Sequence, residues 1–455
     1  MNDLAEIEQR VRRTCTAIAE RTEVGAEWDD VVAPATGRRA VRPRSTRPDR
    51  RRVVIRLAAA AALIAVAGAA VTLAPDRSDD DGSVVTGSET EGSTTAVPEA
   101  PIDGRGVHNA VWTGTEMIVL GGENDQTVGW GAPGAAAYDP QQRSWRRLAD
   151  PPEGLYFGSN FGRGPNAVWT GTEVVAFAIS VGNDHVADAP SLGAVYDIAE
   201  DRWRPISNPG LGDPGEAFWI GDKVLVSGFS ASGNTRADAV GVATYDPRTD
   251  QWQALPDAPV NLSNAVWTGH ELIYAGDKIE PETEGMAPSM PDRMITVALD
   301  PATEQWRTLP APPVSPREVP IVAWTGTELV IAGGGTPADA TAPGGRPLAD
   351  GASFDPSTGI WTELPPAPVW FSGTLGTDAA VVDGQLVALH TGDPDHRSLT
   401  LDLATRTWRY GPADPEGQRR FATTVDTGHE LVVWGGSIGT SEVTVATGFT
   451  YTPPR

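Results

Sequence analysis

Asn109-Ala-Val-Trp-Thr-Gly-Thr-Glu116 returns along this chain as Asn166-Ala-Val-Trp-Thr-Gly-Thr-Glu173, as Asn264-Ala-Val-Trp-Thr-Gly-His-Glu271 and as Val322-Ala-Trp-Thr-Gly-Thr-Glu328. A glycine in a two-residue β-turn supplies the positive φ that joins two antiparallel strands. Each Trp-Thr-Gly step therefore predicts a tight hairpin, and Asp383-Gly384 and Gly221-Asp222 do the same in diverged copies. An apolar strand follows the turn, as in Met117 to Leu120, Val174 to Phe177, Leu329 to Ala332 and Leu431 to Trp434. Several of these strands end in a glycine pair: Gly121-Gly122, Gly333-Gly334 and Gly435-Gly436.

A variable segment then leads to a third strand that ends in a Tyr-Asp-Pro type of element. Aspartate at the first turn position and proline at the second favour a type I turn, and Asp139-Pro140, Asp246-Pro247, Asp300-Pro301 and Asp355-Pro356 all fit. The fourth strand carries a tryptophan seven positions after a large apolar residue: Tyr138/Trp145, Tyr196/Trp203, Tyr245/Trp252, Leu299/Trp306, Phe354/Trp361 and Leu401/Trp408, recurring every 47 to 58 residues. Four strands per unit, with an apolar run, a double glycine and a spaced Tyr/Trp pair, resemble the kelch repeat of β-propellers. The resemblance spans roughly residues 94 to 455 and implies an all-β ring of four-stranded blades. Blade two lacks the glycine pair, and Leu299 and Leu401 replace the tyrosine in blades four and six, which loosens the packing expected there.

The last unit has Glu430 to Gly436 and Thr447 to Tyr451 but ends at Arg455 before a fourth strand. Thr94-Thr-Ala-Val-Pro-Glu-Ala-Pro101 matches the outer-strand pattern of Trp252-Gln-Ala-Leu-Pro-Asp-Ala-Pro259 position by position, with Thr94 in place of the tryptophan. This predicts seven blades closed by an N-terminal strand, and closure would remove the open sheet edges that invite aggregation. Six blades with one irregular unit is the alternative. The tryptophans read as fillers between blades, and the Pro-rich stretches such as Leu309 to Pro313 as connections.

The rest of the chain is organised around the apolar run Leu57 to Ala74, which contains no charge. Residues 38–56 hold nine arginines against the single acid Asp49. About 20 apolar residues span a bilayer core, and flanking arginines stay on the cytoplasmic side. The reading is a cytoplasmic segment 1–37, an Arg-rich juxtamembrane segment 38–56, a transmembrane helix 57–74, a flexible acidic linker 75–93 and the propeller 94–455. A single-pass protein with an extracytoplasmic propeller follows, with a cleaved signal peptide as the alternative.

Residues 1–56 carry 13 basic and 9 acidic side chains, a net +4, which leaves −29 for the remainder of a chain whose total is −25. Nucleic acid requires clustered Lys/Arg to neutralise phosphates, so the acidic propeller is a poor candidate for it. Lysines occur only at 223 and 278, and the Arg, Ala, Gly and Pro usage is what a GC-rich bacterial genome would produce. The single cysteine, Cys15, lies on the cytoplasmic side, so the exported part has no disulfides. It also excludes the copper site of galactose oxidase, a kelch propeller whose crosslinked tyrosine needs a cysteine. The six histidines are scattered without metal-ligand spacing, no phosphate loop or nucleophile elbow appears, and no cofactor is implied.

In a propeller the first strand of each blade lines the central channel. The residues leading into it are Arg105, His108, Asn109, Arg163, Asn166, Glu216, Asn264, Arg317, Glu318, Asp378, Arg419 and Arg420. Aligned on the turn glycine, Arg105, Arg317 and Arg419 are equivalent, nine residues before it, and Asn109, Asn166, Glu216 and Asn264 are equivalent, five before it. Such recurrence would create a locally cationic channel mouth suited to a carboxylated sugar or similar small anion. A sialic acid mutarotase of kelch fold uses such residue types, so the resemblance carries an enzymatic alternative. The competing reading is that these side chains satisfy inner-strand carbonyls and channel water.

Leu4, Ile7, Val11, Cys15 and Ile18 recur at three- and four-residue intervals and predict an amphipathic helix over residues 2–21. Its stripe would dock a cytoplasmic protein or lie on the membrane. The layout of short cytoplasmic helix, arginine patch, anchor and exported domain resembles membrane-bound anti-sigma regulators, without their zinc ligands. The leading expectation is a membrane-anchored binding module for a protein or glycan, with the enzymatic and regulatory readings as alternatives.

Overall fold

The computed structural model of the protein describes residues 92–454 apart from 125–126, 128–130, 154, 159–165, 179–190, 209–213, 230–239, 260–263, 278–293, 338–344, 374–378 and 440–442. The expected amphipathic helix over residues 2–21 and the apolar segment 57–74 therefore lie outside the described residues. Among the described residues no helix is long and apolar enough to cross a membrane.

Seven four-stranded antiparallel sheets form a propeller of seven blades. Blade 1 runs through Asn109–Trp112, Met117–Leu120, Ala135–Asp139 and Ser144–Leu148. Blades 2 to 6 begin at Ala167–Trp169, Pro214–Trp219, Ala265–Trp267, Ile321–Trp324 and Ala379–Val382 and end at Arg202–Ser207, Gln251–Ala258, Gln305–Thr308, Ile360–Glu363 and Thr407–Ala413. Blade 7 contains Thr423–Asp426, Leu431–Trp434 and Gly448–Thr452, with Ser93–Val97 as its outer strand in the register Ser93↔Thr452 to Val97↔Gly448. First strands of neighbouring blades lie side by side, and that of blade 1 touches those of both blade 2 and blade 7. Seven sheets replace the six-bladed alternative.

The recurring sequence features each have a physical task. The Trp-Thr-Gly turn is held by its threonine as much as by its glycine. The Thr113 Oγ1 accepts the Glu116 N–H at 2.9 Å while the Thr113 N–H donates to the Glu116 carbonyl at 3.0 Å. The same hydroxyl bond recurs at Thr170, Thr268, Thr325 and Thr427. At the other turn, Asp139, Asp197, Asp246, Asp300, Asp355 and Asp402 each accept the N–H two residues on, between 2.8 and 3.0 Å. These Asx turns fold the third strand back on the fourth. The spacing of seven then places each large apolar residue opposite its tryptophan, as in Tyr138↔Trp145, Tyr196↔Trp203 and Tyr245↔Trp252.

Those tyrosines are fully buried, with ring centroids 4.8 to 5.0 Å from their tryptophans. The six tryptophans are only half-buried, because each indole edge reaches outward to the blade before it. Trp203 Nε1 donates to the Ala149 carbonyl at 2.9 Å, Trp252 to Ser207 at 3.0 Å, and Trp306, Trp361 and Trp408 to Pro256, Pro310 and Pro365. Trp145 completes the set by donating to Pro98 at 2.8 Å, tying blade 1 to the strand that finishes blade 7. Blades 4 and 6 keep their aromatic packing despite Leu299 and Leu401: Tyr274 supplies the ring beside Trp306 at 5.9 Å, and Phe371 the ring beside Trp408 at 5.0 Å.

Candidate functional site

Among the described residues, the inner-strand side chains of Arg105, Asn109, Glu216, Asn264, Arg317 and Arg419 are engaged with the backbone of their own or a neighbouring blade. Arg105, Arg317 and Arg419 are buried, and each is bound within its own blade. The Arg105 guanidinium donates to the carbonyls of Gly121 at 3.0 Å, Gly134 at 3.1 Å and Pro133 at 2.8 Å. Arg317 donates to Gly333 at 3.0 Å and Asp350 at 3.1 Å, and pairs with the Asp350 carboxylate at 3.0 Å. Arg419 donates to Gly435 at 2.7 Å and Thr447 at 3.1 Å, and pairs with Asp414 and Glu416. The target in every case is the first glycine of a glycine pair, together with the residue just before the third strand. These three blades are the ones whose second strand ends in Gly-Gly.

The glycine pair also explains itself at this point. Gly122 N–H donates to the Phe157 carbonyl, Gly334 to Phe371 and Gly436 to Arg105, each acceptor lying in the segment that leads into the next blade. Gly121, Gly333 and Gly435 have φ of +68°, +64° and +74°. A Cβ on Gly333 would lie 2.3 Å from the Phe371 carbonyl oxygen, and one on Gly435 would lie 2.7 Å from that of Arg105. Arginine and glycine pair thus form one device. The guanidinium fixes the loop, and the bare glycines let the next blade approach it.

Residues five before the turn glycine join neighbouring first strands. Asn109 Oδ1 accepts the Asn166 N–H at 3.2 Å from blade 1 to blade 2. Glu216 Oε2 accepts the Ala265 N–H at 2.7 Å from blade 3 to blade 4, and Asn264 Nδ2 donates to the Pro320 carbonyl at 3.2 Å towards blade 5. Thr423 holds the same position in blade 7, and its hydroxyl bonds His108 Nε2 at 2.5 Å across the ring closure. The Asn166 side-chain amide is buried without a hydrogen-bond partner among the described residues.

His108 packs edge-on to Trp434 at 5.2 Å and is buried. Burial, reinforced by the Arg105 charge, pushes its pKa down to about 3, so it is a neutral ring at physiological pH and contributes no positive charge. Glu318 is exposed, and its backbone pairs with Gly335. Arg420 is half-buried, and its charge, after burial itself, helps hold His390 down to about 4. Arg163 and Asp378 lie outside the described residues. Among the described residues no group of three or more His, Cys, Asp or Glu is placed to hold a metal ion.

The sequence showed both halves of the arginine–glycine device without joining them. Arg105/Gly121, Arg317/Gly333 and Arg419/Gly435 are each 16 residues apart, and this shared spacing was the signal that could have joined them. No protein-family model matches the chain, and no curated protein matches it.

Proposed function

We propose that the protein is a membrane-anchored, extracytoplasmic binding module, a kelch-type propeller that engages a protein or glycan through the end of the ring carrying its long connections. The difference between the two ends supports this reading. At one end the turns are short and nearly identical, from Thr113–Glu116 to Thr427–Glu430. At the other end the segments between second and third strands range from 389–396 in blade 6 to 333–350 in blade 5. Variable connections on a rigid scaffold are where propellers place recognition. The buried arginines and the clasping Asn109, Glu216 and Asn264 are engaged by backbone groups, which favours binding over the mutarotase-like alternative at the channel mouth. The Arg-rich flank of 57–74 supports anchoring with the N-terminus inside.

A photo-reactive residue placed at Asn124 or Arg346, on the connection end, is expected to give covalent adducts in intact cells. The same residue at the exposed hairpin tips Thr115 or Thr327 is expected to give none. Adducts from the hairpin tips alone would transfer recognition to the opposite end.

A further inference from the structure

Near the short-turn end, arginine–carboxylate pairs recur in or between the blades. Arg146 pairs with Glu116 at 2.7 Å, Arg307 with Glu271 at 2.7 Å, and Arg204 pairs with Glu173 while reaching the Pro247 carbonyl of the next blade at 2.8 Å. Between blades 5 and 6 the guanidinium comes from the other side. Arg406 of blade 6 bonds the Glu328 carboxylate at 2.6 Å and the Ser353 hydroxyl at 2.8 Å, both in blade 5.

The boundary between blades 3 and 4 departs at every one of these positions. Lys223 stands where blades 1, 2, 4, 5 and 7 have glutamate, Gln253 where blades 1, 2, 4 and 6 have arginine, Glu304 where blade 6 has Arg406, and Leu299 where blades 1 to 3 have tyrosine. Gln253 bridges the first and third of these, accepting from Lys223 Nζ at 3.4 Å and donating to Glu304 at 2.8 Å. Blade 3 supplies no arginine–glutamate pair here and, with Leu299 opposite, there is no phenol; the boundary opens into a groove of about 650 Å³ whose lining also includes Arg307 of blade 4. Thr244 lines this groove at the position Ser353 holds in blade 5, and its buried hydroxyl has no hydrogen-bond partner among the described residues.

The comparison within the molecule gives the chemistry. Carboxylate plus hydroxyl in blade 5 receives a cation, whereas ammonium plus hydroxyl in blade 3 is suited to a carboxylate. Trp267 adds an aromatic wall, and Asp222 at the hairpin offers an acceptor for hydroxyl groups. Glu271, also in the lining, is neutralised by Arg307. The volume falls within the range that encloses a small ligand. We propose that this groove is a binding site for a small sugar acid, its carboxylate held by Lys223 and Thr244 and its ring against Trp267. The site lies at the short-turn end and stands independently of recognition at the connection end.

The test uses the full-length protein, with D-glucuronate as the probe and D-glucose and acetate as controls, followed by saturation-transfer NMR and calorimetric titration. Glucuronate is expected to bind at millimolar concentration, more tightly than either control. Thr244→Val, which removes the hydroxyl and keeps the shape, is expected to weaken binding about tenfold, the effect of one hydrogen bond to a charged group. The double variant Lys223→Glu/Gln253→Arg rebuilds the ion pair of blades 1, 2 and 4. It is expected to keep the native unfolding midpoint and to lose glucuronate binding. Absence of glucuronate binding, equal binding of glucose or acetate, or unchanged binding by the folded double variant would each overturn the assignment.

Discussion

Arg317→Ala should destabilise the propeller by about 2 to 4 kcal/mol, mainly by leaving the Gly333 and Asp350 carbonyls without their hydrogen bonds, since the Asp350 carboxylate is half-exposed. The Arg317 side chain is fully buried, and the substitution strips hydrogen bonds from the Gly333 and Asp350 carbonyls and leaves the Asp350 carboxylate unpaired. Arg317→Lys keeps the charge but loses the forked geometry that serves two carbonyls and a carboxylate together, so it should fall between wild type and alanine. The control is Arg146→Ala, whose pair with Glu116 is 44% exposed on the arginine side, where about 1 kcal/mol or less is expected. Urea unfolding followed by tryptophan fluorescence separates these cases. A ligand-binding arginine would instead leave the unfolding midpoint unchanged when removed.

Gly333→Ala is the second large effect. At φ +64° any Cβ carries a left-handed backbone penalty of about 1 to 2 kcal/mol. This Cβ also meets the Phe371 carbonyl oxygen at 2.3 Å, so the segment leading into blade 6 must move and the Gly334 N–H to Phe371 bond at 2.7 Å is disturbed. Overpacking of this kind adds about 1 to 3 kcal/mol, for a total of about 4 kcal/mol. Gly326→Ala provides the comparison. Its φ of +96° carries the backbone penalty, but a Cβ there meets nothing within 4 Å. It should lose only the first contribution, and equal losses at Gly326 and Gly333 would remove the inter-blade role of the glycine pair.

Much of the ring is legible in the amino-acid sequence because its signals are local. A tryptophan seven residues after a tyrosine is a cross-strand neighbour through an aspartate-led turn, and the turn chemistry fixes that relation without tertiary information. The N-terminal octapeptide matched an outer strand, and Ser93–Val97 lies in that place. The candidate site was less legible, for a reason in the residues themselves. Asparagine and glutamate recurring five residues before the turn glycine, and arginine nine before it, look the same in sequence whether they face a ligand or backbone groups of their own or the next blade. Glu216 shows the difficulty: its carboxylate meets the Ala265 N–H, a partner 49 residues away. The groove between blades 3 and 4 left a trace in Leu299 and Gln253, but only alignment of all the blade boundaries shows those two as missing pieces of one filling.

Which side of the membrane the ring occupies determines what ligand it can meet, and the single cysteine makes this directly measurable. In intact cells a membrane-impermeant maleimide should leave Cys15 unlabelled and label it only after permeabilisation. In a Cys15→Ser background, Thr115→Cys at the exposed tip of the blade 1 hairpin should be labelled in intact cells. Labelling of Cys15 in intact cells, or protection of the Thr115→Cys thiol until the membrane is opened, would contradict an extracytoplasmic binding module.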